Sequence, residues 1–173
     1  YPAIVLFPQC PENSFWANTK MDRTKTPVSF EFDYEAPANW PLDAVNRLVD
    51  SVLVQESVDA DRVYVTGLSM GGMGTFEMVH RWPNRFAAAM PICGGGNTTS
   101  YDKRVKDIAF HVYHGDKDAV VDVALSRNMT QRLRDLKVRM VEYTEYPGVN
   151  HNSWDNAFAD PDFLGWMFRQ QRK

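Results

Sequence analysis

The sequence is short of cysteine, of long apolar runs and of clustered positive charge, and each shortage excludes a class of protein. Its 173 residues include 2 cysteines, Cys10 and Cys93, which cannot form a disulfide framework and lack the spacing of a zinc site. No apolar run reaches the ~18 residues of a membrane span. The 19 Lys+Arg residues stand against 22 Asp+Glu, without blocks of like charge. Nucleic acids and anionic membranes need concentrated positive charge, so neither is expected as a partner.

What is present is an ordinary globular composition, 44% hydrophobic and 24% charged. This length suits one domain, which we assign to residues 1–173. No secretory signal is visible, but a processed chain would have lost one. The sequence therefore leaves the compartment open, and a secreted or periplasmic location is favoured over others.

Short apolar runs alternate with amphipathic segments, which predicts an α/β fold: a mostly parallel sheet flanked by helices. The predicted strands are Ala3–Phe7, Arg62–Thr66, Phe86–Cys93, Ile108–His114 and Val138–Tyr146. The predicted helices are one starting near Pro41, one between Ser69 and Trp82, Val120–Lys137 and Asp155–Gln170. A long polar stretch, Pro8–Asn39, is predicted to be loop.

The strongest chemical signal is the pentapeptide Gly67-Leu68-Ser69-Met70-Gly71, which lies between a predicted strand and a predicted helix. A tight strand-to-helix turn lifts the central side chain above the sheet, at the positive end of the helix. Ser69 is therefore the candidate nucleophile, although a glycine-rich turn can also serve packing alone.

A serine hydroxyl needs a base to remove its proton. Of the four histidines, His80 lies at the far end of a helix, and His111 and His114 belong to a strand, where His114 is better placed to brace a turn. His151 follows the last strand in a loop that can reach the carboxyl edge of the sheet, so it is the candidate base.

The third member would orient His151 and stabilise its charged form. Asp116 and Asp118 both follow the fourth strand. Asp116 can brace or cap the turn, as aspartates there often do, and Asp118 is the preferred acid. The order Ser69, Asp118, His151 is that of the α/β-hydrolase fold.

These stretches resemble an α/β-hydrolase group that contains phospholipases/carboxylesterases, poly(3-hydroxybutyrate)-depolymerase-like esterases and proteins labelled as predicted peptidases. The resemblance rests on Val5–Pro11, Val63–Gly72, His114–Val121 and Tyr146–Trp154. In that group the serine of the second stretch is the nucleophile, the last aspartate of the third is the acid and the histidine of the fourth is the base. The resemblance thus implies the same three roles for Ser69, Asp118 and His151.

Acyl transfer also needs hydrogen-bond donors for the oxyanion. The backbone N–H of Met70, directly after Ser69, is one candidate. Relatives often place the second donor in a His-Gly segment after an earlier strand, and no such segment precedes Ser69 here. The side-chain amide of Gln9 is a candidate for that place, although a polar residue at a strand end needs no such role.

Aromatic side chains cluster in the predicted loops at Trp16, Trp40, Tyr101 and Trp154. Trp16 and Trp154 are candidates for substrate contact, with ordinary packing as the alternative. Cys10 and Cys93 are expected to be buried free thiols.

These features predict a serine hydrolase that cleaves small-molecule or polysaccharide-linked carboxylic esters through an acyl-enzyme, without a metal or an organic cofactor. The alternatives are a serine peptidase of prolyl-oligopeptidase type and a binding module that keeps the fold without the reaction.

The chain opens directly on an apolar run, Tyr1–Phe7. In the group that it resembles, the strand carrying the oxyanion segment lies between two strands that match Ala3–Phe7 and Arg62–Thr66. We therefore expect the early strands of the fold to be missing, and a companion segment or chain to supply them. The alternative is direct pairing of Ala3–Phe7 with Arg62–Thr66.

Overall fold

The structure, a computed structural model, describes residues 1–172 as alternating strands and helices preceded by a short hairpin. The strands are β1 (Thr19–Asp22), β2 (Ser29–Phe32), β3 (Tyr64–Leu68), β4 (Ala88–Ile92), β5 (Ala109–Gly115) and β6 (Met140–Tyr146). The helices are α1 (Trp40–Gln55), α2 (Met70–Arg81), α3 (Val123–Asp135), α4 (Trp154–Ala159) and α5 (Phe163–Phe168). One turn of 3₁₀ helix, Lys103–Val105, precedes β5.

The central sheet has four parallel strands in the order β3-β4-β5-β6. The strands β4 and β5 are buried along their whole length, as expected for a sheet covered on both faces. Since all four strands run the same way, the loops that follow them meet at one edge. The predicted fold class, a parallel sheet flanked by helices, is confirmed.

Alternate residues of the central strands face two apolar layers. Phe110 and Val112 of β5 pack into a core with Phe76 of α2 and Leu133 of α3. The neighbouring positions, such as Tyr113, face the opposite core, which α4 and α5 complete. Helices therefore cover both faces and leave the carboxyl edge of the sheet to the loops.

The predicted strand Ala3–Phe7 is wrong. This segment has no strand pairing, and Val5 and Phe7 are 62% and 90% exposed. The ring of Tyr1 stacks on Phe168 at 4.5 Å, so this end of the segment contacts α5. An apolar run becomes a strand only beside an edge that supplies hydrogen bonds, and this one lies along none. The alternative arrangement, direct pairing of Ala3–Phe7 with Arg62–Thr66, is likewise not formed.

The polar stretch Pro8–Asn39 contains regular structure that the loop prediction missed. The strands β1 and β2 form an antiparallel hairpin with Thr19 opposite Phe32. The buried carboxylate of Glu77, in α2, accepts a 2.6 Å hydrogen bond from the Asn18 N–H and another from Arg81. The bond from Asn18 joins the segment directly before β1 to α2 across 59 positions, so this contact depends on the fold and not on local apolar patterning.

The single closing helix predicted for Asp155–Gln170 is also wrong, because the chain forms α4 and α5 with a break between them. Asp160, between the two helices, has an extended conformation (φ −66°, ψ 117°). The next residue is Pro161, which disfavours helical geometry in the residue before it. The remaining predicted strands and helices are present, with shifted ends.

Within residues 1–172, no helix combines the length and the apolar character that crossing a membrane requires.

Candidate active site

Ser69 stands at the turn between β3 and α2 in a conformation that few residues adopt, with φ 53° and ψ −115°. Its backbone N–H donates to the Ile92 carbonyl at 2.9 Å, which fixes the turn to β4. A Cβ at Gly67 would collide with the backbone carbonyl of Gly71, so the tight turn requires glycine there. The strained turn places the half-buried serine hydroxyl at the carboxyl edge of the sheet.

His151 lies in the loop between β6 and α4, with its Nε2 2.8 Å from Ser69 Oγ. Its Nδ1 lies 2.7 Å from Asp118 Oδ2. A carboxylate only accepts, so Nδ1 carries the ring proton and Nε2 is free to accept from the Ser69 hydroxyl. The sequence separates these three residues widely, and the fold brings them into one hydrogen-bonded chain.

Asp118 is buried in the loop between β5 and α3. Its Oδ1 accepts the backbone N–H groups of Val120 and Val121, each at 2.9 Å. Burial by itself would raise the pKa of this carboxyl, but hydrogen bonds from His114, His151 and the two backbone groups hold it well below its usual value. The Asp118 carboxylate is therefore ionised at neutral pH.

Asp116 has a different task. Its Oδ1 accepts the Gly148 N–H at 2.6 Å, and its own N–H donates to the Tyr146 carbonyl at 3.1 Å. These bonds connect the β5–α3 loop to the β6–α4 loop that carries His151. The structure thus places Asp118, and not Asp116, against the imidazole.

Two further bonds join the same loops: the Lys117 N–H donates to the Val149 carbonyl and the Ala119 N–H donates to Asn150 Oδ1. The loops approach so closely that a Cβ at Gly115 would lie 2.6 Å from the Asn150 carbonyl oxygen. Glycine at the end of β5 therefore permits the contact that positions His151.

None of the other histidines has a hydrogen bond to Ser69 among the residues described. His80 lies between the rings of Tyr34 and Tyr101 at 5.1 and 5.7 Å. His111 bonds to Tyr113 and Thr144 on the sheet face under α5. His114, expected to brace the turn, is fully buried and contacts the Val121 carbonyl at 3.0 Å.

The two oxyanion candidates differ in placement. Met70 is the first residue of α2, where a backbone N–H has no acceptor within the helix. Gln9 is exposed, and its amide donates to the Cys10 carbonyl at 3.2 Å. Met70 is thus positioned beside Ser69, whereas the role suggested for Gln9 stays a prediction.

The four aromatic candidates are distributed unevenly around the site. Trp154 meets the His151 ring edge-to-face, with centroids 5.3 Å apart. Trp16 packs against the main core, its Cβ close to Gly74 of α2. Tyr101 is fully buried and Trp40 is 66% exposed. Trp154 alone of these four has a recorded ring contact with a candidate catalytic side chain among the residues described.

Both cysteines are buried free thiols, as predicted. Cys93 was not expected near the site, yet ligand-type atoms of Cys93, Asp118 and His151 lie within 4.8 Å of one another. Burial raises the pKa of the Cys93 thiol to about 12, so it stays protonated, and a neutral thiol is a poor metal ligand. The other two residues already bond to each other, so this donor set does not suit a resident metal.

Sequence reasoning missed the surroundings of Asp118. The backbone N–H groups of Val120 and Val121 carry no sequence signal beyond an aspartate two and three residues before them, the spacing of an Asx turn. His114 and Asp118 are four residues apart, and the β5–α3 loop brings them within 3.2 Å of each other. Such a contact depends on the loop path, which the sequence pattern does not specify.

Comparison with known proteins identifies the family of this chain. Residues 29–162 match the phospholipase/carboxylesterase family, which is more than half of the chain. A bifunctional acetylxylan esterase/xylanase from Neocallimastix patriciarum is 30% identical over 91 residues, 53% of this chain and 13% of that protein. Poly(3-hydroxyalkanoate) depolymerase C from Paucimonas lemoignei is 44% identical over 52 residues, 30% of this chain and 13% of that protein.

Among solved structures, a thermostable esterase superposes with a TM-score of 0.80 at 33% identity. The match covers 95% of this chain and 43% of that one, so the chain spans less than half the length of these three relatives. The matched family, the parallel sheet and the strained serine turn agree: the chain belongs to the phospholipase/carboxylesterase family of α/β-hydrolases.

Proposed function

We propose that this protein hydrolyses carboxylic esters through an acyl-enzyme on Ser69, with His151 as general base and Asp118 as the acid that orients it. The observation that carries the proposal is the hydrogen-bonded chain from Ser69 Oγ to His151 Nε2, 2.8 Å, and from His151 Nδ1 to Asp118 Oδ2, 2.7 Å. Family membership and the esterase relatives support the same reaction class.

In the proposed first step, Ser69 Oγ attacks the ester carbonyl carbon while its proton passes to His151 Nε2. The negative carbonyl oxygen of the tetrahedral intermediate accepts the Met70 N–H. The intermediate collapses, the bond to the alcohol oxygen breaks, and the alcohol leaves with the proton from His151. The ionised Asp118 stabilises the imidazolium throughout.

In the second step, His151 removes a proton from water, whose oxygen attacks the acyl carbon. Collapse of this second intermediate breaks the bond to Ser69 Oγ, which recovers its proton from His151 and releases the acid. Every proton moves between Ser69, His151, water and the products, so the cycle as proposed needs no cofactor.

For the substrate we propose an ester of a small molecule or one attached to a polysaccharide. An acetylxylan esterase among the relatives supports an ester attached to a polysaccharide. The Trp154 ring beside His151 offers an aromatic surface near the reacting atoms, of the kind that packs against sugar rings. Hydrolysis of acetylated xylan compared with aryl and alkyl acetates would rank these substrates.

The direct test is reaction of Ser69 with a fluorophosphonate probe, followed by kinetics on p-nitrophenyl acetate. Ser69→Ala should abolish labelling and lower hydrolysis by at least about 10³-fold. Peptide anilides assayed in parallel should be poor substrates. An alanine variant with wild-type turnover would remove Ser69 from the mechanism, and preferred cleavage of anilides would replace the esterase by a peptidase. A chain that binds substrates but never labels would be a binding module.

A further inference from the structure

One buried ionisable side chain at the site has no part in the reaction as described. His114, near the end of β5, is fully buried. Its Nε2 lies 3.2 Å from Asp118 Oδ2 and 3.0 Å from the Val121 carbonyl oxygen. It therefore reaches the same carboxylate oxygen that accepts the hydrogen bond from His151.

The protonation of this nitrogen follows from its partners. A carboxylate oxygen and a carbonyl oxygen only accept hydrogen bonds, so Nε2 of His114 carries a proton, which bonds to the Val121 carbonyl while Asp118 Oδ2 lies 3.2 Å from the same nitrogen. On the other side of the ring, Nδ1 lies 2.7 Å from Ser126 Oγ, which also lies 3.0 Å from the Gly94 carbonyl oxygen; the one hydroxyl proton serves one of these two contacts. The imidazole is thus held between α3 and the loop after β4.

Among the residues described, four N–H groups contact the Asp118 carboxylate. Oδ1 is occupied by the N–H groups of Val120 and Val121, while Oδ2 is shared by His151 and His114. Two acceptor sites on each oxygen account for the full capacity of a carboxylate. Without His114, the carboxylate would still be held at Oδ1, but among the residues described Oδ2 would keep His151 as its one N–H partner.

We propose that His114 is a positioning residue for the hydrolytic reaction: its Nε2–H, braced by Ser126, holds Asp118 Oδ2 in place for His151. The inference rests on the proposed function, since it assigns a task within that mechanism. Among the residues described, the polar contacts of His114 are with Asp118, Val121 and Ser126. It supplies a fixed reference for Asp118 that does not change as His151 gains and loses its proton.

The experiment compares three variants. His114→Leu removes the donor, whereas His114→Gln places an amide N–H near the former Nε2 and should restore the bond to Asp118. Ser126→Ala keeps the imidazole but removes its brace. His111→Leu is the matched control, because it removes a buried histidine from the same strand with no bond to Asp118. Unfolding temperature is measured for each variant, and active protein is counted by fluorophosphonate titration.

Two readouts separate positioning from packing. With p-nitrophenyl acetate, His114→Leu should lower kcat about 10- to 100-fold with little change in KM, because a misplacement near 1 Å costs about 10²-fold. His114→Gln should recover most of that loss, and His111→Leu should leave kcat near wild type. In proton NMR, the downfield signal of the His151 Nδ1–H bonded to Asp118 should shift or vanish in His114→Leu and return in His114→Gln.

Equal kcat in His114→Leu and the His111→Leu control would overturn the inference, as would equal losses in the Leu and Gln variants. If His114→Leu does not fold, Ser126→Ala decides. A lower kcat with a shifted downfield signal supports positioning, and wild-type values for both refute it. Failure of the proposed function looks different, because wild-type protein would then neither label at Ser69 nor hydrolyse the ester.

Discussion

Asp116 and Asp118 are two positions apart, yet one braces a loop and the other faces an imidazole. Asp118→Asn should lower kcat by roughly 10⁴-fold, because an amide presents an N–H or an uncharged oxygen to His151 and no longer stabilises its charged form. The measurement is steady-state kinetics on an ester, with folding checked by circular dichroism.

Asp116→Asn is the control for that experiment. The amide oxygen can still accept the Gly148 N–H, so kcat should stay close to wild type and the free energy of unfolding should fall by about 0.5–2 kcal/mol. Equal or reversed kinetic losses in the two variants would give the orienting role to Asp116 instead.

At the scale of helices and strands, α3 is tied to β6 by one partly exposed ionic cluster. Arg127 of α3 donates two hydrogen bonds to Glu145 of β6, at 2.8 and 2.6 Å, and Tyr143 donates a third at 2.5 Å. The bonds from Arg127 are the main reason that the pKa of Glu145 falls to about 2. The ionised carboxylate therefore stabilises the fold at neutral pH.

The pH dependence of this contribution has a definite sign. Since the pKa is lower in the folded state than its ordinary value of 4.5, the stabilisation is complete above pH 4.5 and declines as the pH falls toward 2. Glu145→Gln should reduce the free energy of unfolding by about 1 kcal/mol at pH 7, and its difference from wild type should shrink through that window. Urea unfolding at several pH values measures this free-energy difference, with exposed Glu12→Gln as control. A difference between wild type and Glu145→Gln that stays constant with pH would contradict the role given to the Glu145 carboxylate.

The sequence predicted those elements whose formation depends on local patterning. The helix α1 has Pro41 in its first turn and an apolar stripe, and β5 is a buried strand rich in apolar and aromatic residues. Prediction from the sequence failed where contacts between distant residues determine the structure. The hairpin β1–β2 is an example, because the Asn18 N–H beside it donates to the buried Glu77 carboxylate of α2. The opposite error occurred at Ala3–Phe7, where a strand was predicted and none forms, because hydrophobicity alone cannot specify which strand lies alongside.

The site was more predictable than the elements around it. Ser69, His151 and Asp118 were expected from motif, loop position and order, and the structure brings all three together. The contacts of His114 with Asp118 and Ser126 were not expected from the sequence, since a buried polar contact between a strand and a helix leaves no short motif.

At the scale of the whole molecule, the outer edge of β3 is the main feature that the proposed mechanism does not explain. Among the residues described, β3 is paired with β4 on one side alone. The ladder uses the backbone groups of Val63 and Ser69, so those of Thr66 point to the open side. We propose that a companion segment or chain covers this edge and supplies the second oxyanion donor.

The 173-residue chain expressed alone should therefore associate through this edge or turn over esters slowly, since unpaired strand edges are templates for other strands. Sedimentation velocity across a concentration series, combined with kcat per labelled Ser69, tests this. A stable 19.8 kDa monomer with efficient ester turnover would refute the need for a companion.

The hydrogen bonds between the β5–α3 and β6–α4 loops also have a consequence for how the molecule fluctuates. The Lys117, Ala119 and Gly148 amides all donate across the two loops, so none can open without disturbing the other loop. In native-state hydrogen exchange these amides should behave as one cooperative unit, with a common opening free energy. Amides of the two loops that exchange with unrelated free energies would contradict this. If the two loops open as one unit, the hydrogen bond between Asp118 and His151, which lie 33 positions apart in the chain, breaks and re-forms with them.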